Sequence, residues 1–265
     1  MNMSVWDPLD AELRAWSAAG RTVTLWWRDD DAVSVTPALE HMARLSATHE
    51  APVTLAVIPA EVEPVLARWV ADQSGVSVAQ HGLSHANHAG PQDGGASEFP
   101  ASRPLAACMA ALAEGWCRMT DVFGVEGAVP MLVAPFNKVG PDVPSVLPTV
   151  GLSALSVHGS RATWPSAPVA IVNTHVDLLR WRPDAEFIGV DKAVRRLVGA
   201  LAARRLGRDE AGVPQDPAEP VGLLTHHRVH GDDLWAFLAD LLPRLRHPSV
   251  RWAEASALIA EGAPS

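Results

Sequence analysis

Short apolar runs rich in β-branched residues alternate along this chain with longer segments of helical periodicity, and no other feature of the sequence constrains the fold as strongly. This alternation is typical of a parallel sheet whose strands are joined by helices. Strands are predicted near residues 22–27, 53–58, 76–80, 129–134, 152–157, 169–174, 221–225 and 249–252. Roughly seven or eight strand–helix units predict an α/β fold, an irregular (β/α)7–8 barrel, built by one domain over residues 1–265 with its core at about 20–262.

Helical stripes fill most of the gaps between the strands. The residues predicted to face inward are Leu39, Met42, Ala43 and Ser46 after a cap at Thr36; Leu105, Cys108, Met109, Leu112 and Trp116; Val190, Val194, Leu197, Val198 and Leu201; and Leu234, Phe237, Leu238 and Leu241. Residues 89–104 and 207–220 interrupt this pattern with Gly, Pro, Ser or acidic residues, and both are predicted to be loops. The first is expected to form a wall of the functional site and the second to be a surface excursion.

The composition excludes several classes of function. A formal net charge of -9 and a pI near 5.6 argue against a nucleic-acid partner, because such proteins usually present a clustered basic face. No apolar run reaches transmembrane length, so no membrane partner is predicted. The first ten residues contain acidic residues and Pro and lack a basic start followed by an apolar stretch, which predicts a cytoplasmic protein. The sequence leaves the oligomeric state open.

Unusual polar residues follow the predicted strands directly. Three adjacent carboxylates, Asp29, Asp30 and Asp31, end the first strand, and holding these like charges together is unfavourable unless a cation or a substrate compensates. The third strand runs into His81, with His85 four residues later. The other strand ends carry Pro135, Phe136, Asn137, His175, Asp177, His226 and His227. Because the carboxyl ends of parallel strands meet at one face of a barrel, these side chains are expected to meet there.

Two imidazoles and a carboxylate are ligands that bind a borderline divalent cation while leaving positions open for water and a substrate carbonyl oxygen. The four-residue spacing of His81 and His85 would place both side chains on one face of a helical turn. We therefore predict one bound divalent metal ion. These ligands alone leave the ion open, since zinc, iron, cobalt, nickel and manganese all accept them. His88, one turn further, is an alternative ligand or an exposed loop residue.

Four segments, in this order and with this approximate spacing, resemble the motifs of the polysaccharide deacetylase family: Arg28-Asp29-Asp30-Asp31, His81-x-x-x-His85, Pro135-Phe136 and Leu224-Thr225-His226. The resemblance spans about residues 20 to 230. It implies the irregular barrel of that family and hydrolysis of N- or O-acetyl groups with a divalent metal, usually zinc. It also implies that Asp30 is the base, that Asp31, His81 and His85 are the metal ligands, and that His226 is the general acid.

The chain departs from the family at two motifs. The segment Arg-x-Pro-Tyr is Val133-Ala134-Pro135-Phe136 here, so Arg28 is the candidate that replaces the missing arginine beside the catalytic aspartate. The Asp-Trp segment is matched by Leu179-Arg180-Trp181, and Asp177 is the nearest acid that could tune His226. Residues predicted to contact the substrate are Pro135, Phe136, Asn137 and Trp181, and those predicted to support the site are Arg28, His175 and Asp177.

Several alternatives remain open from the sequence. His227 competes with His226 for the position that faces the barrel, because alternation along a strand points only one of them inward. His175 and Asp177 form either a supporting hydrogen-bonded pair or a merely structural one. The leading hypothesis is a metal-dependent deacetylase acting on an acetylated sugar or a related small molecule. The others are a hydrolase of a non-sugar C–N bond, such as a cyclic amide or ureide, and a non-catalytic barrel that binds a metal or ligand.

Overall fold

The computed structural model describes residues 4–262. Its strands are β1 (Val23–Ala32), β2 (Val53–Val57), β3 (Val76–His81), β4 (Val129–Val133), β5 (Ala154–Ser156), β6 (Ala170–Ile171), β7 (Val176–Asp177), β8 (Leu179–Arg180), β9 (Glu186–Phe187), β10 (Val221–Thr225) and β11 (Val250–Trp252). Its helices are α1 (Asp7–Ala18), α2 (Pro37–His49), α3 (Pro64–Ala71), α4 (Leu105–Phe123), α5 (Val143–Val146), α6 (Val190–Leu206), α7 (Asp232–Arg244) and α8 (Ala255–Gly262).

One parallel sheet forms the centre of the molecule. Its strands lie in the order β6-β5-β4-β3-β2-β1-β10-β7, and β11 pairs with the first residues of β1. Strands β8 and β9 form a separate antiparallel pair. Because all pairings in the main sheet are parallel, the carboxyl ends of its strands lie at one rim.

A single stretch of chain links the two edges of this sheet. Val172 donates its N–H to Leu155 O of β5 at 3.0 Å, and His175, three residues later, donates to Gly222 O of β10 at 2.7 Å. The chain therefore leaves one edge and joins the other within a few residues, which curls the sheet into an irregular barrel. The predicted fold class is confirmed, although the strand predicted at residues 169–174 is divided between β6 and the segment that leads to β7.

The predicted helix after Thr36 illustrates how local sequence determines an element. The Thr36 Oγ1 atom accepts a hydrogen bond from the N–H of Leu39 at 3.1 Å and satisfies a donor that the first turn leaves free. All four residues predicted to face inward are buried, namely Leu39, Met42, Ala43 and Ser46. This confirms the prediction for α2.

The prediction for α4 is partly wrong. Leu105 and Met109 are 37% and 39% exposed, whereas Ala111 and Gly115 are buried. The reason is close packing: a Cβ at position 115 would overlap the side-chain amide of Gln80 in β3. A helix that approaches a strand this closely presents its small residues, which a hydrophobic stripe does not reveal.

Among the helices of residues 4–262, none combines the length and the apolar character that crossing a membrane requires.

Candidate metal centre

Asp31, His81 and His85 converge at the rim formed by the carboxyl ends of the strands. The Asp31 Oδ1 atom lies 3.3 Å from His81 Nε2 and 3.5 Å from His85 Nε2. One possible ligand atom from each residue lies within 4.8 Å of the other two. Asp31 stands near the end of β1 and His81 ends β3, so the sheet itself brings the first two together.

The backbone between the two histidines is not a helical turn, and that part of the prediction is wrong. The strand ends at His81, Gly82 then adopts φ +63°, and His85 adopts φ +56°. Asp31, Phe136 and Asn137 also have positive φ values, of 71°, 59° and 54°. Such left-handed conformations of residues other than glycine are strained and tend to cluster at functional sites.

The chemistry of these side chains fits a divalent cation. His81 Nδ1 lies 3.1 Å from the carbonyl oxygen of Val133, an arrangement that fixes the proton on Nδ1 and leaves the lone pair of Nε2 free. Asp31 Oδ1 is buried without a hydrogen-bond partner, although it lies between the two imidazoles. An orphaned carboxylate oxygen beside two imidazole nitrogens is the donor set that a borderline metal ion satisfies.

Electrostatics favour the metal-binding forms of two of these ligands. Burial raises the pKa of Asp31, but the adjacent His81 imidazole, with smaller contributions from the charges of His226 and His85, outweighs it and holds the pKa well below its usual range. Burial, assisted by the charge of His81, lowers the pKa of His85, so this imidazole is neutral at pH 7. At His81 burial lowers the pKa, but Asp30 and Asp31 raise it above its usual value. Metal binding must therefore displace a proton from His81 more often than from His85.

Asp30 is held by Arg28, the residue suggested as a replacement for the missing motif arginine. The Arg28 side chain is fully buried, with Nε 2.9 Å from Asp30 Oδ1 and Nη2 3.0 Å from Oδ2. Its Nη2 also donates to Asn137 Oδ1 at 2.5 Å, and its Nη1 donates to Ser156 Oγ at 2.7 Å. The guanidinium thereby fixes the orientation of the Asp30 carboxylate and also binds the side chain of Asn137.

His226 faces the site, and His227 turns away from it. The Nε2 atom of His226 lies 3.8 Å from Asp30 Oδ2. His227 instead lies with Nδ1 2.5 Å from Asp29 Oδ1 and is buried behind the site. Of the two histidines between which the sequence could not decide, His226 therefore lies opposite Asp30. His227 instead forms a separate buried pair with Asp29.

The expected contact between Asp177 and His226 is absent from the hydrogen bonds of residues 4–262. Asp177 Oδ2 accepts from the indole N–H of Trp181 at 3.0 Å, and Oδ1 accepts from the N–H of Leu179 at 2.9 Å. The Trp181 ring lies edge-on to His226, with 4.6 Å between the ring centroids. Asp177 thus reaches His226 through Trp181, and His226 Nδ1 has no hydrogen-bond partner among residues 4–262.

His175 belongs to a different cluster, so the suggested pair of His175 and Asp177 is wrong. Its Nε2 lies 3.1 Å from Glu219 Oε1, and its Nδ1 accepts from the N–H of Gly222 at 3.1 Å. Glu219 is buried and also binds Arg204 at 2.9 Å. Segment 207–220 is therefore anchored by Glu219 and is not simply a surface excursion, because a buried carboxylate needs these partners.

The metal ligands, Asp30 and His226 line one cavity of about 560 Å³. It is also lined by four predicted residues, Phe136, Asn137, Asp177 and Trp181, by Lys138, and by Gly94, Gly95 and Ala96, whereas His158 and Arg182 were missed from the sequence. Pro135 is buried and does not line it. Gly94, Gly95 and Ala96 belong to segment 89–104, which was predicted to form a wall of the site. His158 could have been predicted from its position in the sequence, because it lies just beyond the carboxyl end of β5.

Acidification is expected to destabilise the protein through His230, whose Nε2 accepts a hydrogen bond from the N–H of His226. Burial lowers the pKa of His230 from 6.5 to about 4, although the charge of Asp29 opposes this shift. The unfolded chain therefore binds the proton first, and the free energy of unfolding should fall by about 2 kcal/mol between pH 7 and pH 5. Urea unfolding at both pH values measures this loss. His230→Gln should lose less stability, and an equal loss in both proteins would contradict the prediction.

Solved structures share this fold. A family 4 acetyl xylan esterase of Clostridium thermocellum, in complex with a cobalt ion, matches with a TM-score of 0.57 and 12% identity over 91% of this chain and 93% of its own. A family 4 carbohydrate esterase of Streptomyces lividans, in complex with acetate, matches with a TM-score of 0.54 and 16% identity over 92% and 97%. A family 4 pseudoenzyme of Bacillus anthracis matches with a TM-score of 0.58 and 10% identity over 90% and 66%.

Neither a protein-family model nor a curated protein matches the sequence. At these identities the structural likeness establishes the fold. A structure described as a polysaccharide deacetylase of Mycobacterium smegmatis also matches, with a TM-score of 0.62 and 18% identity over 92% of this chain and 91% of its own. The chain therefore has the irregular barrel of that fold, as the resemblance of its motifs implied.

Proposed function

We propose that this chain is a divergent polysaccharide deacetylase, a metal-dependent hydrolase that removes an acetyl group from an N- or O-acetylated sugar or a related small molecule. One observation carries the proposal. The possible ligands Asp31, His81 and His85 converge in the same cavity in which Asp30 lies opposite His226. A binding site alone requires neither a base nor an acid beside its metal ligands.

Asp31 Oδ1 and the Nε2 atoms of His81 and His85 would hold the metal. When bound, a divalent ion supplies Lewis-acid chemistry that polarises an acyl carbonyl and acidifies water. Asp30 would accept the proton of the attacking water at its carboxylate, in the orientation that Arg28 imposes. His226, in its protonated form, would donate from Nε2 to the departing amine or alkoxide, which restores a neutral leaving group.

The walls of the cavity support a sugar as the substrate. Trp181 and Phe136 are 47% and 40% exposed, so both rings offer an apolar face to a ligand. Aromatic faces of this kind pack against apolar surfaces while the tryptophan N–H remains bound to Asp177. The N–H of Phe136 takes no part in the turn bonds that Asn137 and Lys138 make, and it would be a donor for an oxyanion. Zinc as the ion and the cytoplasm as the location remain predictions.

The test is a substrate panel with the metal-loaded protein. Chitooligosaccharides, acetylated xylooligosaccharides and N-acetylglucosamine are incubated with protein loaded with Zn²⁺ or Co²⁺, and acetate release is measured. Release that is lost in a His81→Ala, His85→Ala double variant is the expected result. The same panel includes a cyclic amide and a ureide, and turnover of these alone would assign the second hydrolase hypothesis. Stoichiometric metal without any turnover would indicate the non-catalytic barrel.

A further inference from the structure

A buried carboxylate that takes no part in the proposed chemistry binds the loop between the two histidine ligands. Glu98 is 1% exposed and lies in segment 89–104. We propose that Glu98 is a positioning residue that holds residues 82–85 in the conformation from which His81 and His85 converge on a divalent cation. This inference rests on the proposed metal-dependent function.

The hydrogen bonds of Glu98 are made to the middle of this loop. Its Oε1 accepts from the N–H of Ser84 at 2.9 Å and from the Ser84 hydroxyl at 3.3 Å. The N–H of Leu83 lies 3.2 Å from both carboxylate oxygens. Because these residues belong to no helix or strand, their backbone donors need a side-chain acceptor, and Glu98 provides it.

Gly82 shows how tightly the loop and the carboxylate fit. A Cβ at position 82 would overlap Glu98 Oε2 and would lie 2.6 Å from Pro135 Cγ. Gly82 also adopts φ +63°, which a side chain disfavours. The loop can therefore bind Glu98 in this way only because the residue after His81 is a glycine.

Glu98 is itself held in place by the chain around it. Its carbonyl oxygen accepts from Arg103 Nη1 at 2.9 Å. The preceding residue, Ser97, donates its hydroxyl to Lys138 O at 2.8 Å, and its own carbonyl accepts from the N–H of His88 at 2.9 Å. The acceptor is thus fixed before a metal ion binds, which is the arrangement that orients ligands in advance.

The negative charge of Glu98 also favours a cation at the site. None of the ion pairs among residues 4–262 includes Glu98, so no cationic side chain pairs with this buried carboxylate, although Arg103 binds the carbonyl oxygen of the same residue. A buried anion is costly unless it is compensated, and a divalent cation bound by His81 and His85 would supply positive charge next to the same loop. Both the hydrogen bonds and the charge of Glu98 should therefore strengthen metal binding.

The experiment measures the Kd of the metal-stripped protein for Zn²⁺ by competition with a chelator. Glu98→Ala removes both contributions and should raise the Kd about 10- to 100-fold. Glu98→Gln can keep the Oε1 acceptor and loses the charge and the second acceptor oxygen, so its effect should be smaller than that of Glu98→Ala. Gly82→Ala should weaken binding as well. The matched control is Glu12→Gln, the same substitution at a largely buried residue that pairs with Arg205 at 2.8 Å, and its Kd should be unchanged.

Hydrogen exchange in the metal-free protein provides a second measurement that does not depend on the metal. The N–H groups of Leu83 and Ser84 should exchange faster in the Glu98 variants than in the wild-type protein. A folded Glu98→Ala variant with wild-type Kd overturns the proposal. If that variant does not fold, Glu98→Gln with unchanged Kd and unchanged exchange overturns it.

The outcomes separate this inference from the proposed function. Wild-type protein that binds Zn²⁺ through a Glu98-dependent loop but releases no acetate supports the positioning role and contradicts the deacetylase. Acetate release by the wild-type protein, together with Glu98 variants that bind Zn²⁺ with the wild-type Kd, supports the deacetylase and contradicts the positioning role. Wild-type protein that binds no Zn²⁺ contradicts both.

Discussion

Replacing Asp30 by Asn is expected to lower kcat for acetate release by about 10²- to 10⁴-fold while the metal content stays at the wild-type level. Asn has nearly the shape of Asp but cannot accept the proton of an attacking water. Asp30 is not one of the three converging ligands, and its carboxylate is occupied by Arg28, so the metal should remain. The effect would therefore fall on turnover rather than on metal binding.

Initial rates and elemental analysis of the same Asp30→Asn sample measure the two quantities together. Asp72→Asn, the same substitution at an exposed residue after α3, is the control for the change of amino acid. A rate within about tenfold of wild type would contradict the role of a general base. Loss of the metal would instead make Asp30 part of the binding site.

Replacing Asp29 by Ala is expected to lower the free energy of unfolding by about 3–5 kcal/mol, because it leaves three buried hydrogen-bond donors without their acceptor. The Asp29 carboxylate accepts from the Thr225 hydroxyl at 2.6 Å, from the N–H of His227 at 2.9 Å and from its imidazole at 2.5 Å. Thr225 in turn accepts from the indole N–H of Trp27 at 2.8 Å. These contacts join the ends of β1 and β10 beneath the candidate metal site.

Urea unfolding of the metal-free protein measures this loss. Asp29→Asn keeps one acceptor oxygen and the shape of the side chain, so it should cost less than Asp29→Ala. A loss below about 1 kcal/mol for the alanine variant would show that the pair contributes no more than an ordinary hydrogen bond.

Arg28 contacts Asp30 from a different position than the one that the resembled motif gives to its arginine. The family places an arginine before Pro-Tyr, where this chain has Val133, yet the guanidinium of Arg28 reaches Asp30 from two residues earlier on the same strand. Its buried contacts to Asn137 and Ser156 keep it in this position. A charged group that is fully buried and hydrogen-bonded in this way is held in one orientation, which a base that must meet a water molecule requires.

Local periodicity was sufficient to predict most strands of the main sheet and the rim at which the polar residues meet, but not the two-residue strands β7, β8 and β9. Buried parallel strands are nearly continuous apolar runs, and three of these runs lead into polar residues, at Arg28-Asp29, Gln80-His81 and Thr225-His226. The approach of Asp31 to His81 followed from this rule. So did the reverse orientation of His226 and His227, because neighbours at a strand end point to opposite sides.

Contacts between distant residues could not be predicted in this way. The loop from His81 to His85 depends on Glu98, and the position of His175 depends on Glu219, which lies 44 residues later. No pattern within a short window records such a hydrogen bond. Helix α1 was missed for a related reason, since it is stabilised by packing against α6 and by the pair of Glu12 and Arg205 rather than by a long apolar stripe.

The most direct test of the central claim is the metal content per chain of the purified wild-type protein, determined by elemental analysis beside a His81→Ala, His85→Ala variant prepared identically. We expect about one divalent ion per wild-type chain and its loss in the variant, because the variant removes two of the three candidate ligands. Little metal in the wild-type protein after reloading, or equal metal in both proteins, would contradict it.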